Sequence, residues 1–130
     1  MTTNEGPAPG FVNYPDHTID ISPSDRQWTA SAGEVVLASS KRALVLEETG
    51  YGPVVYFPPE DIVAERLSPI EHLTTCPFKG EAHYFANRDA PAEPPVAWTY
   101  TSVYDEVSVI AGYIAFYENR VELVEELPGE

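Results

Sequence analysis

Apolar and polar positions alternate with a period of two in several short stretches of the chain, the repeat of a strand with one face buried. The clearest runs over Val96, Trp98 and Tyr100 against Ala97, Thr99 and Thr101. This alternation turns Val96, Trp98 and Tyr100 inward and Thr99 and Thr101 toward solvent or a second layer. Further strands are predicted at Arg26 to Ser31, Glu34 to Ala38, Ala43 to Glu47, Ala64 to Leu67, Glu81 to Asn87, Tyr113 to Tyr117 and Val121 to Glu125. Val54 to Phe57 is apolar without alternation and rich in β-branched and aromatic types, which predicts a central strand covered on both faces. With these runs the chain holds about nine strands.

The breakers between the runs complete the picture. Thirteen prolines among 130 residues favour short strands over long helices. Glu118, Asn119 and Arg120 separate the last two runs and predict a closing hairpin, since Asn tolerates a left-handed backbone. Ser102 and Asp105 have the spacing of a capping box, and Tyr104, Val107 and Ile110 follow before Gly112, which predicts one short helix. Pro58 to Asp61 suits a single helical turn. The expected fold is mainly β: a single-domain antiparallel β-roll or partly open barrel with one or two short helices. Residues 1–16, with Pro7, Pro9, Pro15, Gly6 and Gly10, read as a flexible arm, residues 17–126 as the β-rich domain, and residues 127–130 as a frayed acidic tail.

Charge narrows the function classes. Seven Lys plus Arg against 21 Asp plus Glu give a net charge of −14, which repels a phosphate backbone and an anionic membrane alike. Neither nucleic acid nor membrane is expected as a partner. One cysteine cannot make an intramolecular disulfide, and Met1 to Gly10 has no apolar run of the signal-peptide kind, so a cytoplasmic setting is the expectation.

Candidate chemistry gathers at Cys76-Pro77-Phe78-Lys79-Gly80, which holds the chain's one cysteine and one of its two lysines. Pro77 extends the backbone at Cys76, and Gly80 permits a positive φ before the strand near Glu81, so Lys79 is expected on a turn. There it can form a local anion site with free backbone N–H groups and favour the thiolate of Cys76. The competing reading makes Cys76 a small buried hydrophobe and Lys79 a counter-ion to carboxylates of the fold. His72, Cys76 and His83 supply donors of zinc-ligand type, but their spacing matches no zinc pattern and no metal or other cofactor is implied. His17 falls in a segment expected to be exposed. The rings of Trp28, Tyr56, Phe57, Tyr84, Trp98, Tyr100 and Phe116 are expected mostly in the core, with some free to line a cleft beside Lys79. Glu47, Asp61 and Glu106 stand at the edges of apolar runs, where capping is the expected role and acid–base chemistry the alternative.

Taken together, these segments resemble the bacterial domain-of-unknown-function family numbered 427, from about His17 to Glu125. The resemblance is carried by Arg42-Ala43-Leu44 with Glu47 and Gly50, Pro53-Val54-Val55-Tyr56-Phe57-Pro58 with Glu60-Asp61-Ile62, and His72 and Thr74 before Cys76-Pro77-Phe78-Lys79-Gly80. Trp98-Thr99-Tyr100, Ile110-Ala111-Gly112 and Ala115-Phe116-Tyr117 add to it. Departures are Thr75, where many relatives have histidine, and Ser102-Val103, where a proline after Trp-x-Tyr is common. The resemblance implies no settled activity, although a nucleotidyltransferase label is attached to the family. Such an enzyme needs a Gly-Ser turn at a helix start and two carboxylates separated by one residue on the next strand to hold metals. Asp20 and Asp105 have no second carboxylate in that register, and no helix follows Gly33-Glu34.

Two functions are therefore expected. In the first, a small polar or anionic molecule binds around Lys79, Tyr84, Trp98 and Tyr100, with Cys76 and Lys79 as the candidates for any catalytic step. In the second, the acidic surface meets a basic protein and the Cys76 to Gly80 turn is structural. A concave, aromatic-walled setting for Cys76 and Lys79 separates the first from the second.

Overall fold

The computed structural model describes residues 3–4 and 6–126. Its strands are β1 (Thr3–Asn4), β2 (Ile19–Pro23), β3 (Gln27–Ala32), β4 (Val35–Ser40), β5 (Leu44–Glu48) and β6 (Val54–Phe57). They continue as β7 (Leu67–Cys76), β8 (Gly80–Asn87), β9 (Ala97–Val103), β10 (Ile114–Phe116) and β11 (Glu122–Glu126). A four-residue helix, α1 (Gly10–Asn13), and 3-10 turns at Pro59–Asp61, Ala64–Arg66 and Asp105–Ile110 are the helical parts. The protein is mainly β.

The large sheet has the order β2-β5-β6-β10-β9-β8-β7, with every neighbouring pair antiparallel, and β1 adds a short parallel pairing to the end of β9. Its edges β2 and β7 do not pair with each other, so the sheet stays open and no barrel closes. A second sheet, β11-β3-β4, covers one face. Between the two sheets lies a core of Ala30, Leu37, Ala38, Val55, Phe57, Ala97, Ile114 and Phe116, with the Phe57 and Phe116 rings edge to face at 5.5 Å. The other face carries Leu46, Tyr56, Ala82, Tyr100 and Ala115 and is partly covered by Val107 and Ile110 of the last 3-10 turn.

Several expectations change on this framework. Tyr113 to Tyr117 and Val121 to Glu125 do not form a hairpin: β10 inserts between β6 and β9, while β11 pairs with β3 in the other sheet. Periodicity identifies a strand but not its partner, and tertiary pairing decided here. The Ser102–Asp105 capping box is not formed, because Ser102 belongs to β9 and Tyr104 caps the following turn without a side-chain hydrogen bond. Ala64 to Arg66 is a 3-10 turn, and the strand begins only at Leu67. Of the two settings expected for Thr99, solvent or a second layer, it has the second: it is buried and donates through Oγ1 to the Tyr113 carbonyl at 2.7 Å, since both faces of β9 are covered.

The segment read as an arm lies, in its described part, against the large sheet. Gly10 donates its N–H to the Pro77 carbonyl at 2.9 Å, and the Ala8 N–H donates to Glu106 Oε1 at 2.9 Å. Only glycine fits at position 10, where a Cβ would come within 2.7 Å of the Phe78 ring and 2.9 Å of the Pro77 oxygen. Residues 127–130, read as a frayed tail, lie outside the described residues.

Candidate functional site

Side chains two apart on a strand share a face, and the antiparallel registers carry that face across the sheet. On β5 the spacing of Leu44, Leu46 and Glu48 aims Glu48 to the side opposite Glu47. Register then places Tyr56 of β6 and Trp98 of β9 on either side of Ala115 of β10. It also pairs Tyr84 with Trp98 and Ala82 with Tyr100 between β8 and β9, and Thr74 with Ala82 and Cys76 with Gly80 between β7 and β8. Alanine at 82 and 115 leaves room above the sheet that larger residues would fill. The result is a cavity of about 620 Å³, walled by Tyr56, Tyr84, Trp98, Tyr100 and Tyr117 and bounded at one end by Cys76, Lys79, Glu48 and His17. Its volume lies in the usual range for small-molecule sites.

The Cys76 to Gly80 turn is built as the local sequence requires. The Lys79 N–H bonds the Cys76 carbonyl at 3.3 Å, and the Tyr104 N–H bonds the Lys79 carbonyl at 3.1 Å. Gly80 opens β8 at φ 132°, where a Cβ would lie 1.9 Å from the Ser102 carbonyl oxygen. Held this way, Lys79 is buried and its ammonium donates to Glu48 Oε1. The same ammonium stands 4.0 Å from Cys76 Sγ. His17 Nε2 bonds the second Glu48 oxygen at 2.7 Å, and its ring stacks on Phe78 at 3.9 Å. His17 is thus 14% exposed in its side chain and helps bound the cavity, which corrects the expectation of an exposed residue. Aromatic stacking and a carboxylate partner together hold it there.

The walls carry hydroxyls with bonds to spare. Trp98 Nε1 donates to the Tyr56 hydroxyl at 3.4 Å, which leaves the Tyr56 proton without an acceptor among the described residues. Tyr84 shares a 2.6 Å hydrogen bond with Thr74 Oγ1. Tyr100 is 9% exposed and its hydroxyl makes no hydrogen bond to any described residue, yet it is not sealed from the cavity. Burial, with Glu48 and Cys76 nearby, pushes the phenols of Tyr56 and Tyr100 far above the ordinary tyrosine range, so both keep their protons. Burial also raises Tyr117, whose ring lies 4.6 Å from that of Trp98 and under the Arg120 guanidinium at 4.7 Å.

The five residues singled out in the sequence, Cys76, Lys79, Tyr84, Trp98 and Tyr100, all line this one cavity. Trp28, Phe57 and Phe116 instead pack in or against the core between the sheets. His72, Cys76 and His83 are not assembled: His83 faces Glu81 at 3.4 Å, and the ring of His72 lies 5.1 Å from that of Tyr84. No cluster of His, Cys, Asp and Glu among the described residues could hold a metal ion. Glu47 lies exposed, paired with Asp20 across β2 and β5 on the side opposite Glu48. Asp61 accepts a bond from Ser40 Oγ at 2.6 Å, and the Ala8 amide uses Glu106. Glu48 went unnoticed in the sequence, although its spacing from Leu44 and Leu46 was the available signal.

Residues 20–126 match the family described as a domain of unknown function (DUF427), whose label is NTP_transf_9. The chain belongs to the DUF427 family. The match spans the strands from Asp20 to Glu126, so every cavity residue but His17 lies within the DUF427 region. No curated protein matches the chain. Among the described residues no helix is long and apolar enough to cross a membrane.

Proposed function

We propose that this DUF427 protein binds a small polar molecule in the cavity over the large sheet. One observation carries the reading: Tyr100 is 9% exposed as a residue, and its hydroxyl, without a partner among the described residues, is open to that cavity. A hydroxyl on the wall of a cavity and unused by the fold has its O–H free for the acceptor of a ligand. The ion pair of Lys79 with Glu48 modifies the simple idea of a free cation, because much of the ammonium charge is answered by the fold. Recognition then rests on directed donors, the remaining N–H of the paired ammonium among them, and on aromatic surface. The single half-buried cysteine supports a cytoplasmic setting.

The nucleotidyltransferase label receives no support from the carboxylates. Glu47 and Glu48 face opposite sides of the sheet, and Glu48 is occupied by Lys79 and His17. A thermal-shift screen of metabolites and nucleotides tests the proposal. A ligand at about 100 times its dissociation constant stabilises the fold by about 2.7 kcal/mol, and Trp98→Ala should remove that stabilisation. A flat screen across the panel would favour a non-catalytic module whose acidic surface meets a basic partner.

A further inference from the structure

The class of ligand follows from an account of donors and acceptors, and it rests on the reading of the cavity as a binding site. The Glu48 carboxylate is engaged at both oxygens, by the Lys79 ammonium and by His17 Nε2 at 2.7 Å. The cavity's one buried anion is thus already matched. What remains unspent is donor capacity. Tyr100 has its O–H, Tyr56 has a proton that the Trp98 indole does not use, and an ammonium has three N–H groups, of which Glu48 takes one and Cys76 Sγ, at 4.0 Å, takes a second weakly. Burial keeps both phenols protonated, so they act as donors. A complementary ligand brings acceptors to that end, and the ammonium favours an acceptor that is charged.

Aromatic surface lines the rest of the cavity. The Trp98 and Tyr117 rings stand 4.6 Å apart at 51°, and the Tyr56 ring meets Trp98 edge-on at 6.4 Å. Such faces and edges suit a flat unsaturated body, which gains offset-stacked or edge contacts that a saturated chain does not. The same rings would also suit an organic cation. Lys79 opposes that occupant, since it places a like charge in the cavity while Glu48 has no free oxygen to answer a second cation. We propose that the cavity takes a planar aromatic carboxylate, its carboxylate on Tyr100 and Lys79 and its ring system against Trp98 and Tyr117.

The test uses the full chain and three probes of one shape: 2-naphthoate, the neutral 2-naphthamide and the cationic (2-naphthylmethyl)trimethylammonium. Affinities are read by titration calorimetry. The carboxylate is expected to bind at least about tenfold more tightly than either of the others, as a charge-assisted bond requires. Tyr100→Phe removes one oxygen and keeps the ring, and it should weaken 2-naphthoate by about tenfold. Lys79→Met should weaken it further where that variant folds, and Tyr100→Phe decides the matter where it does not. Binding of the amide or the ammonium as tightly as the carboxylate would overturn the ligand class while leaving the cavity a binding site. Unchanged 2-naphthoate affinity in Tyr100→Phe, or no 2-naphthoate heat at all, would overturn it too, and the metabolite screen then judges the cavity separately.

Discussion

Lys79 and Glu48, 31 residues apart in the chain, meet as an ion pair at one end of the cavity, with side chains 11% and 7% exposed. Removing one member of such a pair leaves the other charge buried, which costs more than the pair itself contributes. Lys79→Met is therefore expected to lower stability by roughly 3 kcal/mol, and Glu48→Leu added to it should recover much of that loss. Urea unfolding of the two single variants and the double variant measures the coupling. A Lys79→Met protein as stable as the parent would mean that the pair is not formed in solution.

Two glycines separate scaffold from cover. Gly80→Ala sets a Cβ against the Ser102 carbonyl at a φ of 132°, so a loss of at least about 3 kcal/mol is expected. Gly10→Ala presses instead on the Phe78 ring and the Pro77 carbonyl oxygen at the first residue of a four-residue helix. Its cost should be about 1 to 2 kcal/mol, below that of Gly80→Ala because the short segment can shift off the sheet, and limited proteolysis should find residues 6–16 cut faster than in the parent.

The cavity phenols predict a delayed alkaline titration. A phenol whose native pKa is raised above the unfolded value of about 10 stabilises the fold below that pH, and the contribution is lost as pH rises beyond it. Absorbance near 295 nm should show most of the eight tyrosines ionising first and Tyr56 and Tyr100 only as the chain unfolds. Tyr100→Phe should shrink the late phase. A single smooth titration of all eight with the fold intact would contradict the burial of these two groups.

Asp61 governs the acid side. The hydroxyl of Ser40, together with Arg42, holds its carboxyl below the ordinary range. Its contribution is full above the unfolded pKa of about 4 and lost as pH falls through the lower native value. Asp61→Asn should flatten the loss of stability on acidification and lower stability at neutral pH, as denaturant midpoints between pH 3 and 7 would record. A parent and variant with parallel pH profiles would show that the bond from Ser40 is not made.

Local pattern made much of this legible. Alternation located the strand of Trp98 and Tyr100, and the unbroken apolar run of Val54 to Phe57 gave a central strand with its ends in place. Pro77 and Gly80 announced the turn that presents Lys79. Pairing was not legible, because the period of two is the same whichever neighbour a strand chooses, and so β10 and β11 were misjoined. The partnership of Glu48 with His17 and Lys79 depends on strand order and a docked N-terminal segment, neither of which any short window contains. Proline and glycine content described that segment's own propensity and missed the Phe78 surface that receives it.

The insertion of β10 between β6 and β9 also dictates when the cavity can exist. Tyr56 arrives on one half of the sheet and Trp98 on the other, and Ile114–Phe116 is the strand that joins them. Without β10 the strand order falls into two parts, β2-β5-β6 and β9-β8-β7, and the facing edges of β6 and β9 have no partner strand between them. Completing the sheet needs β10 to pair with both edges, a non-local contact of the kind that slows folding. Until that strand is in place the aromatic wall stays divided between the two parts, so the stability of Ile114–Phe116 in its slot and the existence of the site are one and the same quantity.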